Sequence, residues 1–220
     1  MMEMNGFMGS FYRASVFISR LAYINILWIM FTLMGLVIFG FMPATVAMFA
    51  VTRKWINGSG DFPLFRTFWG YYKSEIVKSN VFGVFFVFIG YILYMNFILV
   101  PEQVLWMTVL RYIFLVISIV YLITLLTFFP TYVQLNLKGT NYLKTSLLLG
   151  LAYPQYVVLM VAGIVGIQWV MMFLPGLIPF FAASLICYVL TWVMNIVFKN
   201  VEKKNQQYEE EQAAREVEVI

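Results

Sequence analysis

Between Leu21 and Phe198 the chain carries at least five apolar runs near the length of a bilayer core, and these runs decide what it can fold into. A hydrocarbon core of about 30 Å needs roughly 20 apolar helical residues to cross it. Residues 81–100, 106–129, 156–174 and 176–198 each approach or exceed that length. Backbone polar groups in lipid must be satisfied internally, so the spans are helices; the alternating ten-residue segments of a barrel are absent. With 63% hydrophobic and 11% charged residues and a mean hydropathy of +0.88, the chain cannot cover a soluble globule, whose charged share is about 25%. The expected fold class is all-α, a polytopic membrane helix bundle that forms one domain over residues 1–200 of a cell-membrane protein. Residues 7–20 are mixed and run straight into the apolar stretch 21–41, so the N-terminus does not read as a cleavable signal.

The charges set the number of helices. Lys and Arg collect on cytoplasmic segments, and here they cluster at Arg13 and Arg20, at Arg53 to Lys78, at Lys138 and Lys144, and at Lys199 to Lys204. The connections 101–104 and 174–179 hold no basic residue and belong outside. A single crossing over 21–41 would then put Arg13 and Arg20 on the wrong side. A hairpin broken at 40–43 removes the conflict, with Gly40 ending one helix in a left-handed conformation and Pro43 opening the next. The returning helix, 44–55, would be short, and its small residues Ala44, Ala47 and Ala50 suit close packing. Six helices with both termini cytoplasmic follow. The alternative has five crossings, with Pro43 kinking a continuous helix and the N-terminus outside. Arg111, in the third long run, is expected to snorkel outward.

Two segments lie outside the spans. Over 57–80, Phe65, Phe68, Trp69 and Tyr72 share one helical face while Arg66 and Lys73 point elsewhere. This reads as an amphipathic helix in the cytoplasmic interface. With Arg53, Lys54 and Trp55, these residues make up the expected interface to lipid or to a partner. The tail 201–220 is polar and acidic, with no sustained apolar face, and is expected to be solvated and mobile. Residues 1–200 hold 11 basic against 4 acidic groups, whereas the tail holds 3 against 6. The basic excess therefore belongs to the membrane surface and anionic lipid, which gives no support to nucleic-acid binding.

Catalytic chemistry is sparse. There is no histidine, and the lone Cys187 reads as a small packing hydrophobe, so no disulfide framework, metal or cofactor is expected. Ahead of the tail the acids are Glu3, Asp61, Glu75 and Glu102, none inside an expected span. No phosphate-binding loop of the Gly-x-x-x-x-Gly-Lys type occurs. An enzyme is therefore not expected, nor is ion-coupled transport by this chain alone. A small transporter or channel acting as a homo-oligomer is an alternative, and it would need a polar cavity lined by side chains such as Asn25, Asn96, Gln155 and Gln168.

One stretch carries a family signature. Gly35-Leu36-Val37-Ile38-Phe39-Gly40-Phe41-Met42-Pro43-Ala44-Thr45 is followed by Phe49-Ala50-Val51-Thr52-Arg53-Lys54-Trp55, then Phe65-Arg66-Thr67-Phe68-Trp69 and Lys78-Ser79-Asn80. Over about its first 80 residues the chain resembles the YesL family of multi-pass bacterial membrane proteins. The resemblance implies a Gram-positive setting beside carbohydrate-uptake ABC transporters, whose subunits become the expected partners. It implies no catalytic or ligand residues.

Overall fold

The computed structural model describes residues 7–58, 62–99 and 105–218, which are helical nearly throughout. The elements are α1 (Phe7–Met34), α2 (Ile38–Ile56), α3 (Leu64–Leu99), α4 (Leu105–Gln134), α5 (Asn141–Ala152), α6 (Pro154–Phe173) and α7 (Ile178–Glu218), with a 3-10 turn at Pro175–Leu177. Five stretches are long and apolar enough to cross a membrane: Gly9–Met34, Leu64–Ile98, Trp106–Gln134, Pro154–Phe173 and Pro175–Gln212. This is a multi-pass helical membrane protein. The connection 101–104 with Glu102, the turn residues 59–61 with Asp61, and Glu3 lie outside the described residues.

α1 and α2 form the expected hairpin, but the break sits earlier. The pair is antiparallel: the Phe17 and Trp55 rings lie 5.1 Å apart, and Trp28 Nε1 donates to Thr45 Oγ1 at 3.1 Å. The chain turns at 35–37, where Leu36 and Val37 take φ of 55° and 64°, and neither Gly40 nor Pro43 forms the turn. A β-branched residue is strained in that region. Gly40 is helical, and a Cβ there would stand 2.4 Å from the Thr32 carbonyl oxygen. Its lack of a side chain serves close helix approach instead of helix termination. Pro43 lies inside α2, and its missing N–H deprives the Phe39 carbonyl of its intrahelical donor. Asn80 Nδ2, from α3, donates to that same carbonyl at 2.9 Å.

The earlier break makes α2 19 residues long, a rise of about 28 Å and close to a full core. The expected short helix over 44–55 is therefore corrected. α2 carries Arg53 and Lys54 in its last turn and is not one of the five apolar stretches. It is instead the centre of the bundle. Every residue from Pro43 to Thr52 is buried, and α1, α3, α4 and α7 all pack on it. Ile24, Leu27, Val51, Cys187 and Val193 are among the side chains that close this core.

One further expectation changes, and the tail acquires a secondary structure. The segment assigned to a separate interfacial helix is, from Leu64 on, the first half of the unbroken 36-residue α3. The tail is helical to Glu218, because its Glu, Lys, Gln and Ala residues favour helix and α7 supplies a ready nucleus. Elsewhere, α5 lies against α4, with Thr127 Oγ1 donating to the Ser146 carbonyl at 2.8 Å. α1 runs antiparallel to α7. Phe17 meets Tyr188 at 5.1 Å, while Asn25 Nδ2 donates to the Pro179 carbonyl at 2.6 Å and Asn25 Oδ1 accepts the Ser184 N–H at 2.9 Å. The start of α1 therefore lies toward the C-terminal part of α7.

Candidate functional site

Arg53, Lys54 and Trp55 end α2, and each is engaged within the chain. Arg53 Nη1 donates to the Val133 carbonyl, one of the last carbonyls of α4, which lack an intrahelical donor. The guanidinium thus sits at the negative end of that helix dipole. Lys54 Nζ lies 4.8 Å from the Phe62 ring centre. Trp55 packs on Phe17 and Tyr188, with the Arg20 guanidinium 5.7 Å above its ring.

Phe65, Phe68, Trp69 and Tyr72 do share one face of α3, and they gather around Phe31 of α1 at centroid distances of 5.0 to 5.9 Å. Phe68 is fully buried and Tyr72 is 4% exposed. These two are interior packing groups, which removes them from any lipid or partner surface. The hydrophobic pattern revealed the face but could not say whether lipid or α1 covers it. Phe65, Arg66 and Lys73 remain exposed, Lys73 lying 4.7 Å over the half-buried Trp69 ring.

A cleft of about 810 Å³ opens between α2, α3 and the loop after α4. α2 contributes Val46, Ala50 and Arg53 to it, α3 contributes Glu75 and Lys78, and the loop after α4 contributes Lys138. The Tyr132 hydroxyl of α4 donates to the Glu75 carboxylate at 2.5 Å. Glu75 is the only carboxylate among the described residues ahead of Glu202. The loop is shaped by Gly139, at φ 53°, a value glycine adopts without strain. It is fastened by the Leu137 N–H, which donates to the Tyr142 hydroxyl at 3.1 Å. Sequence reasoning missed this cleft. Glu75 was its one visible signal, an acid alone in a basic segment; nothing marked Tyr132 or Tyr142 as its neighbours.

The polar side chains weighed as a path lining do not line the cleft. Asn25 is buried, with both its amide nitrogen and its amide oxygen bonded to backbone groups of α7. Asn96 is half-buried, and Gln155 and Gln168 are exposed on α6. Arg111 is half-buried and has a partner within the chain. Among the described residues no three His, Cys, Asp or Glu side chains come close enough to hold a metal ion.

The comparisons with known proteins agree on one family. A family described as "Protein of unknown function, DUF624" matches residues 21–97, from α1 into α3. Three proteins of Bacillus subtilis (strain 168) are similar over nearly the whole chain. "Uncharacterized protein YteU" is 40% identical over 92% of this chain and 91% of its own length. "Uncharacterized protein YesL" is 34% identical over 90% and 92%, and "Uncharacterized protein YesV" is 34% identical over 86% and 91%. No solved structure matches.

Proposed function

This chain belongs to the DUF624 family, together with YteU, YesL and YesV, and from that premise we propose that it is a non-catalytic accessory or assembly component of an ABC-type carbohydrate uptake system. In this reading it sits in the cell membrane with both termini cytoplasmic, and Phe65, Arg66 and Lys73 meet the permease or its ATPase. The carbohydrate setting rests on the resemblance carried by the hairpin motif. The observation that supports an accessory role is the use of two polar groups, the buried Asn25 and the half-buried Arg53. Asn25 is consumed in fastening α1 to α7, and Arg53 in closing α4. Phe65, Arg66 and Lys73 are left exposed on α3, and aromatic and Arg side chains are enriched at contact surfaces.

The test is co-purification in mild detergent from cells growing on a complex polysaccharide. Transporter subunits are expected with the natural chain and depleted several-fold with Phe65→Ala/Arg66→Glu. A preparation that retains other membrane complexes yet contains no transporter subunit overturns the reading. The homo-oligomeric transporter or channel keeps one supporting observation, the exposed Gln168 in the C-terminal half of the apolar α6. Disulfide crosslinking between copies carrying Gln168→Cys would favour it.

A further inference from the structure

The cleft beside α2 combines three features that point to one ligand chemistry. Its ionisable lining is basic overall, with Arg53, Lys78 and Lys138 against Glu75. Arg53 is held by the Val133 carbonyl, whereas Lys78 on α3 and Lys138 on the loop are both exposed. They bring two mobile ammonium groups to the cleft from different elements, and ammonium groups of this kind bind phosphate as point charges. Glu75 spends one lone pair on Tyr132 and keeps others, so it suits ligand hydroxyls that donate. The volume, about 810 Å³, falls in the range of small-molecule pockets, about 300 to 1,000 Å³.

The position of the cleft narrows the choice further. Val77 and Val81 line it and are 75% and 64% exposed. On α3 they lead directly into the exposed Val84, Phe85 and Phe88 of the apolar span. On the opposite wall stands the polar loop of Asn136, Lys138 and Gly139. With the apolar half of α3 in lipid, the cleft would straddle the boundary where a polar loop gives way to a lipid-facing helix, the depth at which headgroups lie. Basic pockets between membrane helices are used in this way to hold anionic headgroups.

We infer that the cleft binds a phosphorylated polyol, its phosphate between Lys78 and Lys138 and its hydroxyls toward Glu75. A phosphatidylglycerol headgroup and a soluble glycerol or sugar phosphate share this chemistry. This assignment goes beyond the accessory role and does not depend on it.

The experiment uses the full chain in an uncharged detergent. Dioleoylphosphatidylglycerol, dioleoylphosphatidylcholine and sn-glycerol 3-phosphate are titrated separately, and bound ligand is counted by native mass spectrometry. At least one of the two polyol phosphates should bind at least about tenfold more tightly than phosphatidylcholine, and the tighter of them names the source. Lys78→Gln/Lys138→Gln should weaken that binding roughly tenfold, on the scale of basic contacts to anionic lipid. Lys144→Gln/Lys203→Gln, at exposed basic residues outside the cleft lining, should leave it unchanged. Binding no tighter than phosphatidylcholine overturns the assignment, as does an equal loss in the two double variants. Because all four lysines are exposed, the variants should fold as the natural chain does, which their unfolding midpoints check.

Discussion

Proline inside a helix leaves one carbonyl without its amide, and in α2 that carbonyl is Phe39's, taken up by Asn80. The sequence displayed both residues in its family signature but not the bond between them. A local pattern carries no information on which distant side chain repairs a gap. It also made Pro43 look like a helix start, since proline is as well placed there as it is tolerable beside a substitute donor. The bond has a measurable consequence. Asn80→Ala should lower unfolding free energy by about 1 kcal/mol, the usual cost of stranding such a group. In a Pro43→Ala background, where the backbone regains an N–H at that position, the same change should cost much less. A double-mutant cycle by denaturant unfolding in detergent reads that coupling directly, and additive costs would show that the two residues act independently.

At the level of elements, periodicity was a sound guide to faces and a poor one to boundaries. The aromatic face of 65–72 exists as read, yet α3 continues through it without a break, and its cover is Phe31 of α1. Amphipathicity reports that a face is apolar; only packing tells whether lipid or protein covers it. The tail lacks an apolar face, as expected of a solvated segment, and it extends a helix already nucleated in the bundle. Residues 202–212 are exposed along their length, so little packing holds them. What contacts there are, Asn200 at the Tyr156 hydroxyl and Lys204 over the Tyr153 ring, come ahead of residue 206. Removing residues 206–220 should therefore change unfolding free energy by less than about 0.5 kcal/mol, the scale of surface changes, while reducing helical circular dichroism. A larger loss of stability would mean that the tail packs on the bundle.

For the whole molecule, the class was legible at once, because length and hydropathy alone require apolar helices. The separate helix α2 was legible only through charge, and the short α5, which makes seven helices among the described residues, was not expected. Five stretches qualify by composition, and α2 is masked by its Arg53 and Lys54 although it is the most enclosed of all. The cleft was not legible, since it is made by α2, α3, α4 and a loop that meet only after folding. In the proposed topology α2 crosses as well, which would make the number of crossings even and put the two ends of the chain on one side. Tyr12 and Tyr208 are both well exposed, and the lone native Cys187 is buried, so single cysteines at these positions can be labelled against a silent background. With a membrane-impermeant thiol reagent, Tyr12→Cys and Tyr208→Cys should both react only after the cells are permeabilised. Labelling of Tyr12→Cys in intact cells, with Tyr208→Cys still protected, would contradict the hairpin and restore five crossings.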